Sequence, residues 1–140
     1  MTPQHNKIVI TEFDRRRLIG LMELMRARSA GDTPELAALE DELERAEVVG
    51  PGEVPRDVVT MNSTVQLVDL DTREELAFTL VFPGTADPKK QRISVLAPMG
   101  VALLGCREAE ELSWPTPSRV RRLRIERILY QPEASGDFDL

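Results

Sequence analysis

The chain of 140 residues holds one cysteine, one histidine, one tryptophan, one tyrosine and four phenylalanines. A lone cysteine, Cys106, excludes an intramolecular disulfide and suits a reducing compartment. It follows an apolar run and reads as buried and inert rather than reactive. A lone histidine, His5, cannot assemble a His-based zinc site or a His-activated nucleophile. Aromatics at 4% leave little material for a ring-lined ligand pocket. No apolar run approaches the roughly 20 residues of a membrane span. The polar start, Met1-Thr2-Pro3-Gln4-His5-Asn6-Lys7, lacks the apolar core of a signal peptide. No glycine-rich phosphate loop occurs; the glycines are scattered at turns. These absences argue against an ordinary enzyme. They lead to the expectation of a cytoplasmic protein with no catalytic residues, no cofactor, no resident metal and no membrane partner.

What is present is mostly acid, and it is unevenly placed. The net charge is −6, and residues 31–47 hold Asp32, Glu35, Glu40, Asp41, Glu42, Glu44 and Glu47 against Arg45 alone. An acidic stretch of this kind disfavours contact with nucleic acid or anionic lipid. It reads as a solvated helix face, with a basic protein surface as the functional alternative.

Thr11 offers a helix cap, with Glu12 and Asp14 in the first turn where the helix dipole favours acids. Leu18, Leu21, Met22 and Met25 recur at helical spacing towards Arg28. Ser29-Ala30-Gly31-Asp32 interrupts the pattern. Thr33 and Pro34 then start a second helix, whose stripe is Leu36, Leu39, Leu43 and Ala46. Two apolar stripes joined by a tight turn predict an antiparallel helical hairpin over residues 11–48. Ile8-Val9-Ile10 reads as a short extended lead.

Gly50-Pro51-Gly52-Glu53-Val54-Pro55 is helix-breaking, and beyond it the period becomes two. The expected organisation is therefore a hairpin at 1–49, a linker at 50–57, a β domain at 58–131 and a loose acidic tail at 132–140. Val58-Val59-Thr60-Met61 and Thr64–Val68 are β-rich. Leu76, Phe78, Leu80 and Phe82 alternate on one face after the turn Asp71-Thr72-Arg73-Glu74. Ile93–Leu96, Glu111–Trp114 and about 119–130 read as three more strands. Between them lies Ala97-Pro98-Met99-Gly100-Val101-Ala102-Leu103-Leu104-Gly105, apolar all round. Pro98 suits a helix start and Gly105 a stop, so the segment reads as a short helix plugging the concave face of an antiparallel sheet rather than as a pocket lining.

Two groups of side chains are candidate sites. The last strand carries Arg119, Arg121, Arg122 and Arg124. If Leu123 and Ile125 face the core, Arg122 and Arg124 fall outside. The arginines read either as a docking surface or as an exposed face paired with neighbouring acids. Direct sequence-specific binding of nucleic acid is not expected, because stacking would require interleaved aromatics and only Tyr130 is near. At the hairpin turn, Asp32 and Glu35 could share a magnesium ion, although acids are favoured at a helix start in any case.

Beyond these local readings, Ser63-Thr64-Val65, Leu70-Asp71, Glu74-Glu75, Ala86-Asp87, Ile93-Ser94-Val95, Pro98 and Leu103-x-Gly105, set behind a helical hairpin, resemble the transcript-cleavage factors GreA and GreB. Pro55–Ser63, Ala97–Gly105 and Tyr130-Gln131-Pro132-Glu133-Ala134 are similar to the Rnk family of Gre-like proteins, regulators of nucleoside diphosphate kinase. The resemblance covers nearly the whole chain. It implies an α+β protein, a short hairpin (coiled coil) followed by an FKBP-like antiparallel β domain with one short helix. It also implies binding to RNA polymerase near its secondary channel. The expected role is that of a non-enzymatic regulator, competing with Gre-type factors and acting as a monomer. In Gre factors a long coiled coil reaches inward and acids at its tip help bind a catalytic magnesium. Gly31-Asp32-x-x-Glu35 matches that tip spacing, but helices of about 17 residues span roughly 25 Å at 1.5 Å per residue, about half a Gre arm. The alternatives are a cleavage factor acting through Asp32 and Glu35, or a prolyl isomerase suggested by the fold alone. The second would require a cup built from Phe78, Phe82, Trp114 and Tyr130.

Overall fold

The computed structural model describes residues 8–28, 33–115 and 117–137. It has a mixed α+β architecture. The chain opens with β1 (Val9–Thr11), which runs directly into α1 (Glu12–Arg28); α2 (Pro34–Arg45) and β2 (Glu47–Val49) follow. Both helices start where their capping residues sit. The Asp14 N–H donates to Thr11 Oγ1 at 3.1 Å, and the Leu36 N–H donates to Thr33 Oγ1 at 3.2 Å with Pro34 in the first helical position. The extended lead does more than introduce the helix. β1 pairs with β2 in parallel, Val9 opposite Glu47 and Thr11 opposite Val49, so the two ends of the helical segment are tied together at its base.

The remaining strands are β3 (Thr64–Asp69), β4 (Glu75–Val81), β5 (Arg92–Ser94), β6 (Glu111–Pro115) and β7 (Val120–Tyr130), in sheet order β5-β4-β3-β7-β6. Register shifts in the β3–β7 pair at Thr64/Val65 and Gln66/Leu67 bend the two central strands. The sheet is not wholly antiparallel as expected, because β4 and β5 are parallel. Residues 82–91 make no tight hairpin. They pass through two 3₁₀ turns, Pro83–Thr85 and Pro88–Lys90, and return the chain in its original direction. Nor do residues 58–61 form a strand. Val58 makes one isolated bridge to Arg107, then Ser63 N–H closes a turn on the Thr60 carbonyl at 3.0 Å with Asn62 at φ 67. Asn62, in the left-handed region, breaks the extended run here.

The apolar segment forms α3 (Pro98–Leu103), with Met99, Gly100 and Leu103 buried and Leu104, Gly105 and Cys106 buried behind it. Its packing admits no extra atom at two glycines. A Cβ on Gly100 would lie 2.0 Å from the Ser94 carbonyl oxygen, and one on Gly105, at φ +82, would lie 2.1 Å from Ile8 Cγ2. One apolar core results. Ile8, Leu18, Leu39 and Leu43 from the helical segment join Leu67, Leu80, Leu103, Leu123 and Ile125 from the sheet and α3.

The segment after Tyr130 also departs from the loose tail expected. Pro132–Ser135 form one helical turn, α4. Gln131 Nε2 donates to the carbonyls of Pro55 and Val58 at 2.8 and 2.7 Å, and Thr60 Oγ1 donates to Glu133 Oε1 at 2.7 Å. The segment after β7 thus ties down the carbonyls of Pro55 and Val58.

Candidate docking surfaces

The arginines of β7 do not form one surface. Asp69, at the end of β3 and fully buried, accepts from Arg119 Nη2 at 2.9 Å and Arg121 Nε at 2.8 Å. Its other oxygen accepts the backbone N–H groups of Asp71 and Thr72 at 2.9 and 3.1 Å, an Asx turn that starts the β3–β4 connection. The Arg121 guanidinium, with help from those N–H groups and Arg119, holds the Asp69 carboxyl well below the usual carboxylate range. Arg121 in turn is raised above its ordinary value by Asp69, and it also reaches Glu74 at 2.9 Å and lies over the Trp114 ring at 5.8 Å. Arg119 reaches Asp71 at 3.5 Å, and Arg122, exposed, reaches the same carboxylate at 3.6 Å. Three of the four arginines therefore form a network with three acids, Asp69, Asp71 and Glu74. Arg124 lies apart, on the outer face of the sheet. It lines an open polar groove of about 510 Å³ with Gln66, Glu75, Glu108 and Arg127.

Of the two acids expected at a hairpin turn, Asp32 lies outside the described residues, and of Glu35 only its place in the first turn of α2 is described. Among the described residues, no three His, Cys, Asp or Glu side chains come together as metal ligands, and no helix is long and apolar enough to cross a membrane. The aromatic side chains are dispersed. Phe78, Phe82 and Trp114 pack against the core, and the Tyr130 hydroxyl bonds Asp137, which pushes the phenol up to about 12.

Two features escaped sequence reading. The junction between the helices and the sheet centres on Asp14, which is 2% exposed. Arg17 Nη2 donates to Asp14 Oδ1 at 2.6 Å, while Oδ2 is buried with no hydrogen-bond partner. Burial pushes the Asp14 carboxyl from 3.8 up to about 6, against the pull of Arg17 and with a smaller push from Glu133. Arg17 itself lies over the rings of Phe13 at 4.2 Å and Phe82 at 4.6 Å, bridging α1 to the end of β4. The second feature is the run Lys89-Lys90-x-Arg92, exposed where the β4–β5 connection enters β5. A signal was available for it, since two adjacent lysines follow an Asp-Pro turn start.

A short helical segment set on a five-stranded sheet with one buried helix defines a small two-part α+β protein, and the comparisons with known proteins agree. The model described as "Transcription elongation factor, GreA/GreB, C-term" matches residues 54–130, and "Rnk N-terminus" matches residues 6–49. The "Regulator of nucleoside diphosphate kinase" of Escherichia coli K12 is 40% identical over 132 residues, covering 94% of this chain and 95% of that one. "Transcription elongation factor GreA" of a Sulfurovum species is 40% identical over 101 residues, covering 72% of this chain and 62% of that one. The solved structure "Prokaryotic transcription elongation factor GreA/GreB from Nitrosomonas europaea" superposes with a TM-score of 0.79 at 43% identity, covering 90% of this chain and all of that one. The chain belongs to the Rnk family of GreA/GreB-type proteins.

Proposed function

We propose that this protein is a non-enzymatic regulator of transcription that binds RNA polymerase near the secondary channel and competes there with Gre-type factors. It acts as a monomer through residues 58–131, with residues 1–49 as a short hairpin. The observation that carries the reading is a GreA/GreB-type sheet domain joined to a short helical segment. α1 has 17 residues and α2 has 12. At 1.5 Å per residue these span about 25 and 18 Å. Helices of that length hold the tip outside the depth to which the Gre arm is understood to reach, so binding is retained while stimulation of transcript cleavage is not. Any influence on nucleoside diphosphate kinase levels then follows indirectly, through transcription.

Two features support a non-catalytic role over a prolyl isomerase. The four aromatic side chains that a cup would need are committed to the core or to Asp137, and fold alone does not carry activity. The test is a binding measurement with fluorescently labelled full-length protein and core RNA polymerase. Saturable binding that a Gre factor displaces is the expected result. Binding that a Gre factor leaves unchanged would overturn competition for one site, and no binding would overturn the reading as a whole.

A further inference from the structure

Most cations on the described surface are answered by an acid or stand singly. Lys89, Lys90 and Arg92 do neither. All three are exposed within four residues, and among the described residues none has a carboxylate partner. The nearby acid, Asp87, is turned inward on its own backbone, where Oδ1 accepts the Lys89 N–H at 3.1 Å. The turn that carries them is held by its own backbone bonds. Lys90 N–H donates to the Asp87 carbonyl at 3.0 Å and Gln91 N–H to the Pro88 carbonyl at 3.1 Å. Asp87 and Arg92 exchange both backbone bonds at 3.1 and 3.0 Å. The turn stands on β5, whose backbone α3 touches so closely that Gly100 cannot carry a Cβ.

The same bonds decide how a partner could be recognised. β5 is an edge strand, and such edges invite strand addition. Here the Arg92 backbone is taken by Asp87, and the Ser94 carbonyl accepts the Ala97 N–H at 3.0 Å. The edge is closed by its own chain, so recognition falls to the side chains.

We propose that Lys89, Lys90 and Arg92 form a preorganised cationic face that docks an acidic, solvent-exposed segment of a partner protein. A fixed turn lowers the ordering cost of binding, and complementary charge speeds encounter and sets register. Nucleic acid fits this face less well. The exposed neighbours Gly84, Thr85 and Ala86 offer no ring on which a base could stack. Naming the partner as RNA polymerase rests on the function proposed above; the chemistry of the face does not.

The test uses the full chain in four forms: wild type, the reversal variant K89E/K90E/R92E, the neutral variant K89Q/K90Q/R92Q and a control, R56E/R73E. The control arginines are likewise exposed without an acidic partner. Each is titrated at low and moderate salt against core RNA polymerase, a polyglutamate peptide and a single-stranded oligonucleotide, with thermal melts confirming the fold. The expected result is polymerase binding weakened about tenfold or more by reversal. The neutral variant should be affected less, the control should be unchanged, and the salt dependence should shrink with the charges removed. Polymerase binding that the reversal variant keeps at full strength overturns the face and leaves the polymerase reading standing. Reversal-sensitive binding to polyglutamate, with no polymerase binding by any form, keeps the face and overturns the polymerase reading. Loss confined to the oligonucleotide makes the face a nucleic-acid surface and overturns the proposal. No binding by wild type in any arm overturns both.

Discussion

Replacing Asp14 by asparagine keeps the shape of the side chain and removes a charge from the joint between the helices and the sheet. The carboxyl is 2% exposed, accepts from Arg17 at 2.6 Å, and has its second oxygen buried without a partner. Burial carries it from 3.8 to about 6. Between those values the folded chain holds a proton that the unfolded chain releases, so stability falls as pH rises through this window. The shift corresponds to about 3 kcal/mol, present when Asp14 is protonated and lost above pH 6. Asparagine mimics the protonated form at every pH. It also gives up a first-turn acid worth about 0.3–1 kcal/mol at the helix dipole, and Arg17 keeps its contacts with the rings of Phe13 and Phe82. Asp14→Asn should therefore stabilise the protein by about 2 kcal/mol at pH 7.5 and leave it nearly unchanged at pH 4. Urea unfolding of both proteins at pH 4, 6 and 7.5 measures the difference directly, with all other titrating groups cancelling. A loss of about 3–5 kcal/mol at pH 7.5, as expected when one partner of a favourable buried ion pair is removed, would refute the reasoning. It would make the Arg17 pair, rather than the burial of charge, the dominant interaction.

Gly105→Ala should destabilise by about 2 kcal/mol or more, since φ +82 strains any side chain and the new Cβ would lie 2.1 Å from Ile8 Cγ2; a neutral urea midpoint would show that Ile8 gives way freely. Asp69→Asn should lower the melting temperature at pH 7. Because the folded Asp69 carboxyl is depressed, the advantage of wild type should shrink as pH falls below the ordinary carboxylate value, and a difference that stays constant down to pH 2.5 would be the contrary result. Changing Asp32 and Glu35 to alanine should barely alter affinity for core polymerase, with a stability loss of roughly 0.3–1 kcal/mol from the first-turn acid Glu35; a tenfold loss of affinity would promote the two acids to contact residues.

The helices were legible because their signals are local. Thr11, Thr33 and Pro34 mark the starts, and Leu18, Met22, Leu36, Leu39 and Leu43 mark the buried side. α3 was legible for the same reason, between Pro98 and Gly105. The extended lead was read, but β2 and its parallel pairing with that lead were not, since three residues hold no period and the pairing depends on where the helical segment returns. The direction of β5 was hidden too. Pro83, Pro88 and Asp87 announce turns but not that two turns together reverse nothing. Val58–Met61 carries β propensity that Asn62, in the left-handed region, overrides. In β7, alternation correctly placed Leu123 and Ile125 inside and Arg122 outside. It could not show that Arg121, on the same face as Leu123, lies beyond the end of the core, where Asp69 and Trp114 replace aliphatic neighbours. Alternation gives the face of a residue and not how far the core extends. For that reason the sequence left open whether the arginines form a docking surface or pair with neighbouring acids, and three of them are engaged with acids.

Cleavage in backtracked RNA polymerase complexes bears most directly on the functional account. A fixed amount of Gre factor is added with increasing full-length protein, and the shortened RNA is quantified beside reactions that contain the protein alone. Gre-stimulated cleavage should decline as the protein is added, and the protein alone should yield no shortened RNA. Undiminished Gre activity at saturating protein would contradict competition for one site, and shortened RNA from the protein alone that disappears on Asp32→Ala would contradict a regulator without cleavage activity.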